Sequence, residues 1–409
     1  MDQINTGDTA WILASSALVM LMTPALGFFY GGLVRRKNVL ATIMHSFFVL
    51  CLISVQWVLW GYSLAFGPDH WGLIGGLDWV GLNGVGLEPN PDYAKTIPHQ
   101  AYMIFQMMFA VITPALITGA FAERKRFKAF VVFSLAWATF VYDPIAHWVW
   151  GHDGWLGTLG ALDFAGGTVV HISSGFSALV AALVLGHRTG FGQEKMDPHD
   201  ATMTVLGASL LWFGWFGFNA GSALTAGGLA TSAFIATNTA AAMAALTWMT
   251  VSWAHHGQPS VLGAAAGAVA GLVAITPAAG SVTPLASIII GLGAGVVCYA
   301  AIQLKHVLNV DDALDVWAVH GMGGVWGALA TGLFATVAVN SGAKDGLFYG
   351  NPGQLGIQVI AVLASCVYSG VVTFVILKVI NLFVNLRVEE KEEALGLDLS
   401  QHGEVAYQV

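Results

Sequence analysis

Long apolar runs, separated by short polar stretches, fill most of the 409-residue chain. A helix that crosses the hydrocarbon core of a bilayer needs ~20 mostly apolar residues. By that rule the sequence predicts eleven membrane-spanning helices, over residues 9–33, 40–66, 99–121, 127–149, 164–186, 201–222, 229–254, 260–276, 282–304, 317–337 and 356–385. The pair 260–276 and 282–304 also fits a single re-entrant element interrupted near Pro284.

Composition supports a membrane protein and excludes several other classes. Hydrophobic residues make up 56% of the chain and charged residues only 9%, whereas soluble domains carry about a quarter charged residues. A water-soluble surface cannot be built from so few charges, and no basic tract suggests a nucleic-acid partner. Cys51, Cys298 and Cys366 all fall in apolar spans, which predicts free thiols. The N-terminus lacks the positive region of a cleavable signal peptide.

The basic residues predict the orientation of the spans, since cytoplasmic loops are enriched in Lys and Arg. Only Lys95 and Lys344 fall on one side of the predicted membrane. The other basic residues fall on the opposite side: Arg35, Arg36, Lys37, Arg124, Lys125, Arg126, Lys128, Arg188, Lys195, Lys305, Lys378, Arg387 and Lys391. We therefore predict an outer N-terminus and a cytoplasmic C-terminus, which an odd number of spans requires.

Eleven spans divide into two groups of five and a final helix. The first span of each half contains an aromatic-glycine pattern, and the last contains an Asp followed by a His. Because five is odd, the second half is inverted in the membrane, which is a common transporter plan. We predict a transmembrane domain over 1–386, with halves at about 9–187 and 200–338 and a final helix at about 356–385. Residues 387–409 form a charged cytoplasmic tail, either disordered or docked.

Two buried segments carry the candidate chemistry. His171 follows Asp163 in an otherwise apolar or small run, and His320 follows Asp315 in a similar one. Ionisable groups at membrane depth are costly and usually mark a substrate or proton path. A single buried histidine is more often a packing residue, but two in corresponding positions of two halves predict one shared pore. For Asp315 we expect a helix-capping role.

Several long motifs in order resemble the ammonium transporter family (Amt/Mep/Rh), and specifically its Amt branch. They are Phe28-Phe-Tyr-Gly-Gly-Leu-Val-Arg35, Gly119-Ala-Phe-Ala-Glu-Arg-Lys-Arg-Phe127, Asp163-Phe-Ala-Gly-Gly-Thr-Val-Val-His171, Gly214-Trp-Phe-Gly-Phe-Asn-Ala-Gly-Ser222, Val310-Asp-Asp, Val319-His-Gly321, Gly396-Leu-Asp and His402-Gly-Glu404. The resemblance covers almost the whole chain. It implies a homotrimer in which each subunit has its own pore through eleven helices.

The resemblance also implies roles for particular residues. It assigns the twin-histidine role to His171 and His320, an aromatic gate to Phe109 and Phe218, and the pore wall below that gate to Trp215. It places an outer ammonium-binding vestibule at Phe105, Phe109, Trp150 and Ser222, at the outer ends of their spans. An interfacial aromatic belt is the alternative for the vestibule aromatics, and ordinary packing is the alternative for Phe218.

For Asp163 the resemblance implies indirect recognition, in which the carboxylate holds backbone groups and stabilises nearby positive charge. Capping of the fifth helix is the alternative, and both roles are compatible. We expect packing for His147 and solvation for His255 and His256 in a short loop. No motif predicts a metal site, a cofactor or coupling to ATP.

The leading hypothesis is an ammonium transporter of the cell (inner) membrane that is not an enzyme. It captures ammonium in the vestibule, removes its proton and passes ammonia, with proton transfer through the histidines left open. Alternatives are an ammonium sensor and an Rh-type channel for ammonia or carbon dioxide. An intramembrane hydrolase is disfavoured, because no nucleophile motif or metal spacing is evident. The resemblance implies a PII-type signalling protein as a cytoplasmic partner.

Overall fold

The computed structural model describes residues 4–407. Nine helices in this range are long and apolar enough to cross a membrane: Thr6–Leu33, Arg36–Phe66, His99–Phe121, Phe127–Leu159, Gly167–Leu185, Ala201–Gly221, Gly228–His256, Pro284–Val307 and Pro352–Asn381. The other two predicted spans coincide with shorter helical segments in 261–275 and 317–334. The protein is therefore an all-α polytopic membrane protein, as predicted, while the number of eleven crossings and their orientation stay predictions. Residues 408–409 of the predicted tail lie outside the described residues.

The helical segments are numbered here in chain order. They are α1 (Thr6–Leu33), α2 (Val39–Gln56, then Trp57–Gly61 and Tyr62–Phe66), α3 (His99–Ile117), α4 (Phe127–Trp137, then Ala138–Tyr142 and Asp143–Trp150), α5 (Gly167–Ile172, then Ser173–Leu185), α6 (Ala201–Gly221), α7 (Gly228–His256), α8 (Val261–Ile275), α9 (Pro284–Val307), α10 (Trp317–Met322, then Gly323–Phe334) and α11 (Pro352–Asn381). Two short strands, β1 (Asp69–His70) and β2 (Ile74–Gly75), pair antiparallel in the loop after α2.

Four segments change from α-helix to π-helix along their length. The π-helical turns are Trp57–Gly61 in α2, Ala138–Tyr142 in α4, Gly167–Ile172 in α5 and Trp317–Met322 in α10. Such turns are rare and occur often at functional sites. The turns in α5 and α10 contain His171 and His320, respectively.

The segments α8 and α9 are two separate helices joined by residues 276–283, and the number of membrane crossings they make stays a prediction. The Ser260 hydroxyl accepts a hydrogen bond from the backbone N–H of Gly263 (3.0 Å), and the Thr283 hydroxyl accepts one from Ala286 (3.3 Å). Each helix thus has its own side-chain N-cap. Pro284 begins α9, where its missing N–H costs nothing.

Glycines let the two predicted halves approach closely. A Cβ on Gly175 of α5 would overlap the backbone of Gly321 of α10, and one on Gly207 of α6 would overlap the backbone of Phe29 of α1. Small residues at such crossings are typical of helix packing in membranes. The contact between Gly175 and Gly321 brings the two histidine-bearing segments together.

Following the predicted orientation, we call the face formed by residues 67–98 and 151–166 the outer face. The face formed by residues 122–126, 186–200 and 308–316 is called the inner face. On the inner face Glu123 accepts hydrogen bonds from the Arg35 backbone N–H (2.7 Å) and from Arg188 Nη1 (3.1 Å), and Arg188 Nη2 donates to Asp311 (2.8 Å). The ion pairs of Arg35 and Arg188 with Glu123, and of Arg188 with Asp311, connect four loops.

Burial and neighbouring charges shift the pKa values of the carboxylates in this cluster in opposite directions, and the effect of the charges is larger. Burial alone would raise the pKa of Glu123, but the guanidinium groups of Arg188 and Arg35 hold it below its usual range. The pKa of Asp311 is likewise lowered, because the hydrogen bonds and charge of Arg188 and Arg124 outweigh its desolvation. Both carboxylates are therefore ionised at neutral pH and keep the loops paired.

The described part of the C-terminal segment, residues 387–407, docks on the inner face. Asp398 accepts a hydrogen bond from the backbone N–H of Ala41 (2.8 Å), and Asn38 accepts one from the backbone N–H of Leu397 (2.8 Å). Lys125 and Arg387 form an isolated β-bridge. Of the two alternatives for this segment, the described residues adopt the docked one.

Candidate functional site

The outer face contains a cavity of about 360 Å³, which we call the vestibule. Its walls include Phe105, Phe109, Trp150 and Ser222, so the structure brings together all four residues predicted for substrate binding. Phe105 and Phe109 lie one turn apart on α3, and Trp150 is the last residue of α4. Ser222 follows α6, and its hydroxyl donates to the Phe218 carbonyl (2.9 Å).

The vestibule reaches deeper than the sequence predicted. Phe109 lies in the middle of α3 rather than at the outer end of its span, and it is only 1% exposed. The preceding loop, residues 67–98, lies on the outer face above the start of this helix. The cavity is therefore a recess into the protein and not a patch on its surface.

A pair of phenylalanines closes the inner end of the vestibule. The ring centroids of Phe109 and Phe218 lie 4.3 Å apart, and Phe109 also contacts Phe105 (4.9 Å) and Trp150 (5.8 Å) edge-on. Phe218 is fully buried. In this conformation no open passage exists between the two rings, because 4.3 Å is a direct ring contact. A solute crosses this point only if a ring rotates.

Below the phenylalanine pair lies a small cavity of about 10 Å³ lined by Phe218, Trp215, His171 and His320 together with aliphatic side chains. That volume accommodates on the order of one water-sized molecule. Trp215 stacks on His171 with ring centroids 5.4 Å apart, and its indole N–H donates to the Thr276 hydroxyl (2.9 Å). The cavity is thus apolar except for imidazole nitrogens.

The two histidines contact each other directly. Nδ1 of His171 lies 3.3 Å from Nδ1 of His320, and the rings are nearly parallel, with an interplanar angle of 26°. A neutral imidazole has one donor and one acceptor nitrogen, so one of the two Nδ1 atoms bears the proton between them. Nε2 of His171 is buried and has no hydrogen-bond partner within residues 4–407.

A third cavity, of about 200 Å³, continues from the histidines to the inner face. His320 and Val269 line both this inner cavity and the small one. Tyr30, Leu314 and Asp315 lie along its wall. The three cavities therefore follow one another from the outer face to the inner face, separated by the phenylalanine pair and by the imidazoles.

A carboxylate supports the histidine-bearing turn of α5. Asp163 accepts hydrogen bonds from the backbone N–H groups of Gly166 (2.8 Å) and Thr168 (2.7 Å), from the N–H of Gly167 and from the Thr168 hydroxyl. Trp150 Nε1 donates to the Asp163 carbonyl (2.9 Å). Asp163 thus lies where both the capping and the indirect-recognition interpretation require it.

The matching carboxylate of α10 is Asp312, and the prediction that Asp315 caps this helix is wrong. Asp312 accepts a hydrogen bond from the backbone N–H of Trp317 (2.8 Å), whereas Asp315 pairs with Lys305 Nζ. The sequence did contain a signal for this, since Asp312 precedes His320 by the same eight residues that separate Asp163 from His171. Burial raises the pKa of Asp312 to about 6, and the nearby Lys305 opposes the rise.

The remaining predicted residues lie away from these cavities. His147 is buried and bonds Ala65 O and Asp69 Oδ1, each at 2.9 Å, as a packing residue would. His255 and His256 end α7 instead of lying in a loop, and both bond the Tyr299 hydroxyl. Cys51, Cys298 and Cys366 are free thiols, as predicted.

Comparison with known proteins identifies the family. Residues 10–407 match the family model of the Ammonium Transporter Family. An ammonium transporter of Bacillus subtilis is 57% identical over 403 residues, covering 98% of both chains. Ammonium transporter Amt1 of Archaeoglobus fulgidus is 50% identical over 404 residues, covering 99% of this chain and 100% of the relative.

Solved structures agree with the sequence comparison. Mep2 of Candida albicans superposes with a TM-score of 0.91 at 41% identity, over 99% of this chain and 91% of its own. A protein described as a sensor Amt protein superposes with a TM-score of 0.89 at 30% identity, over 97% and 98%. The fold, the order of the motifs and these relatives together show that the chain belongs to the ammonium transporter family.

Proposed function

We propose that this protein transports ammonium across the cell (inner) membrane. It captures the ion in the vestibule, removes its proton near the phenylalanine pair and passes ammonia between the histidines. The observation that carries the proposal is the series of three cavities, in which aromatic faces line the outer one and imidazole nitrogens the middle one. Phe105, Phe109, Trp150 and Ser222 form the proposed binding site.

The chemistry of the walls favours a cation outside and a neutral molecule inside. Aromatic faces attract cations by ~0.5–2 kcal/mol each, and the Ser222 hydroxyl oxygen adds an acceptor. The small cavity offers no carboxylate among its lining residues. An unpaired cation in such surroundings costs on the order of tens of kcal/mol by Born estimates. Transfer of the proton from the ion to an imidazole nitrogen at the phenylalanine pair avoids that cost, since the His171 ring stacks on Phe218 with ring centroids 6.0 Å apart.

The histidine pair supplies a route for the released proton. When Nδ1 of one ring donates to Nδ1 of the other, the donor ring has a bare Nε2 and the acceptor ring has an Nε2–H. The pair therefore accepts a proton at one end and releases one at the other. This arrangement of one bare and one protonated Nε2 supports transfer of a proton alongside each ammonia molecule, with net movement of positive charge across the membrane.

Reconstituted protein in liposomes tests the proposal. We expect an inward ammonium gradient to produce internal ammonium accumulation and an inward current, while equal potassium gradients produce neither. Liposomes without protein control for passive entry of ammonia. Accumulation without current would contradict proton co-transfer only. No flux with retained ammonium binding would contradict transport and favour the sensor alternative, while flux of carbon dioxide would favour the Rh-type alternative.

Two further proposals concern assembly and rest on the family resemblance. We propose a homotrimer in which each subunit contains a complete path, because all three cavities are formed within one chain. Native mass spectrometry of the detergent-solubilised protein tests this, and a monomer would contradict it. We also propose that a PII-type signalling protein binds the inner face. Co-purification at low effector concentration tests that binding, and no association would remove it.

A further inference from the structure

One carboxylate at the vestibule has no role in the proposed mechanism. Asp92 lines the same cavity as Phe105 and Trp150, and its side chain is 57% exposed. The other lining carboxylate, Asp163, is already occupied by backbone N–H groups of α5. No Lys or Arg occurs among the described residues that line the vestibule. Among the residues that line the vestibule, Asp92 therefore has the carboxylate that is free to meet an arriving cation.

The position of Asp92 is held by the loop around it. Its backbone N–H donates to the Asn90 side chain (3.1 Å), and Asn90 and Ala94 form a β-bridge. The next residue, Tyr93, donates its hydroxyl to Phe66 O (2.5 Å) and stacks on Tyr102, with ring centroids 5.0 Å apart. Tyr102 lies on α3 one turn before the vestibule aromatics. Asp92 is thus anchored to the helix that forms the binding site.

Among the described residues, the imidazole of His152 lies within ion-pair distance of Asp92. His152 Nε2 lies 3.9 Å from Asp92 Oδ1, while its Nδ1 lies 3.1 Å from Asp153 Oδ2. The closer carboxylate for this imidazole is therefore Asp153. Asp153 itself is 70% exposed and does not line the vestibule. It offers a matched control, since it has the same charge and the same imidazole neighbour outside the cavity.

We propose that Asp92 is a positioning residue that recruits the ammonium ion to the rim of the vestibule, before the aromatic side chains bind it. The inference rests on the proposed transport function and adds a capture step to it. An exposed charge acts over roughly a Debye length, about 10 Å at 0.1 M salt. The step therefore accelerates capture of any monovalent cation and leaves the selectivity of the pore unchanged.

Initial rates of ammonium flux in liposomes at pH 7.5 test this inference, for the wild type, Asp92→Asn, Asp92→Glu and Asp153→Asn. At low ionic strength we expect Asp92→Asn to raise KM on the order of 2- to 5-fold with an unchanged maximal rate. The difference is expected to vanish when sodium gluconate is added. Asp92→Glu is expected to keep the wild-type KM, and Asp153→Asn to change it less.

Other results would overturn the inference. Equal increases in KM for Asp92→Asn and Asp153→Asn would show that the overall negative charge of the outer surface, and not Asp92 in particular, attracts the ion. An unchanged KM in Asp92→Asn would contradict the capture step. A changed ratio of ammonium to methylammonium flux would place Asp92 in the selective site instead. A loss of maximal rate that Asp92→Glu does not restore would assign the residue a structural role. Each of these outcomes leaves wild-type transport intact, whereas an inactive wild type contradicts the proposed function itself.

Discussion

His171 and His320 lie with their Nδ1 atoms 3.3 Å apart, although 149 residues separate them in the chain. The contact depends on the crossing of α5 and α10 at Gly175 and Gly321, where no side chain keeps the helices apart. Each histidine also lies in a π-helical turn that begins after a carboxylate. The two halves thus present their imidazoles to each other by the same local construction.

Replacing both histidines, as His171→Ala with His320→Ala, is expected to abolish selective ammonium transport, because the buried acceptors and the proton route are lost together. Ammonium and potassium currents in reconstituted protein measure this. His255→Ala, at the exposed end of α7, serves as the control and is expected to behave as the wild type. Wild-type transport by the double variant would contradict the role proposed for the pair.

Trp150→Leu is expected to weaken ammonium capture and leave the path below intact. Loss of one cation–π contact, worth ~0.5–2 kcal/mol, corresponds to a roughly 2- to 30-fold higher KM with a similar maximal rate. The control is Trp71→Leu, since Trp71 is 88% exposed on the outer face and does not line the vestibule. An unchanged KM for Trp150→Leu would count against cation binding by the indole.

Asp312→Ala is expected to lower the maximal rate of transport and leave KM unchanged. The carboxylate bonds the backbone N–H that begins the His320 turn, so its loss misplaces the imidazole but not the vestibule. Flux measurements that separate KM from the maximal rate check this, and Asp312→Asn, which keeps an acceptor oxygen, is expected to recover part of the rate. A raised KM with a normal maximal rate would contradict the positioning role.

Glu123→Gln is expected to destabilise the protein, because Arg35 and Arg188 lose a buried partner. Removing one member of a buried ion pair typically costs about 3–5 kcal/mol. Thermal unfolding in detergent measures the change. Glu389→Gln is the control, since Glu389 is 60% exposed, pairs with the exposed Lys391, and caps the helix Glu390–Leu395 through an acceptor oxygen that Gln retains. A wild-type unfolding temperature for Glu123→Gln would show that the cluster adds no stability.

The pH dependence of the same cluster has a definite sign. The folded-state pKa of Glu123 lies below its ordinary value of 4.5. Its stabilising contribution is therefore complete above pH 4.5 and is lost as the pH falls through the lower folded-state value. We expect the wild type to lose stability in this acidic range more steeply than Glu123→Gln. Parallel stability profiles for the two proteins would contradict this assignment.

Much of the fold was predictable because lipid constrains sequence strongly. A spanning segment has to satisfy its own backbone hydrogen bonds, so long apolar runs predict helices such as α1 and α11 closely. The π-helical turns were not predictable, since one extra residue in a turn alters neither length nor hydropathy. At Pro284 the sequence predicted an interruption, and the structure places the start of α9 there.

The sequence predicted which residues form the candidate site better than it predicted the contacts between them. Family resemblance identified Trp150 and Ser222, and the structure brings both to one cavity. The prediction that Asp315 caps α10 was wrong. Asp311, Asp312 and Asp315 all precede this helix, and only the backbone geometry of its first turn determines that Asp312 accepts the N–H hydrogen bond. The sequence did not predict a role for Asp92. An exposed acidic residue in a loop is common, and only the structure shows that this loop lies beside the vestibule.

The side-chain exchange at the start of α2 makes the two ends of the chain interdependent. Asn38 is the N-cap residue of α2, but its side chain accepts a hydrogen bond from the backbone N–H of Leu397 instead of one from its own helix. The side chain of Asp398, 357 residues from Ala41, accepts the hydrogen bond from the Ala41 N–H in the first turn. The start of α2 is therefore capped only once residues 397 and 398 have been synthesised and have docked. A chain that is cut before Leu397 therefore loses the cap of α2 at the inner face and not merely its tail.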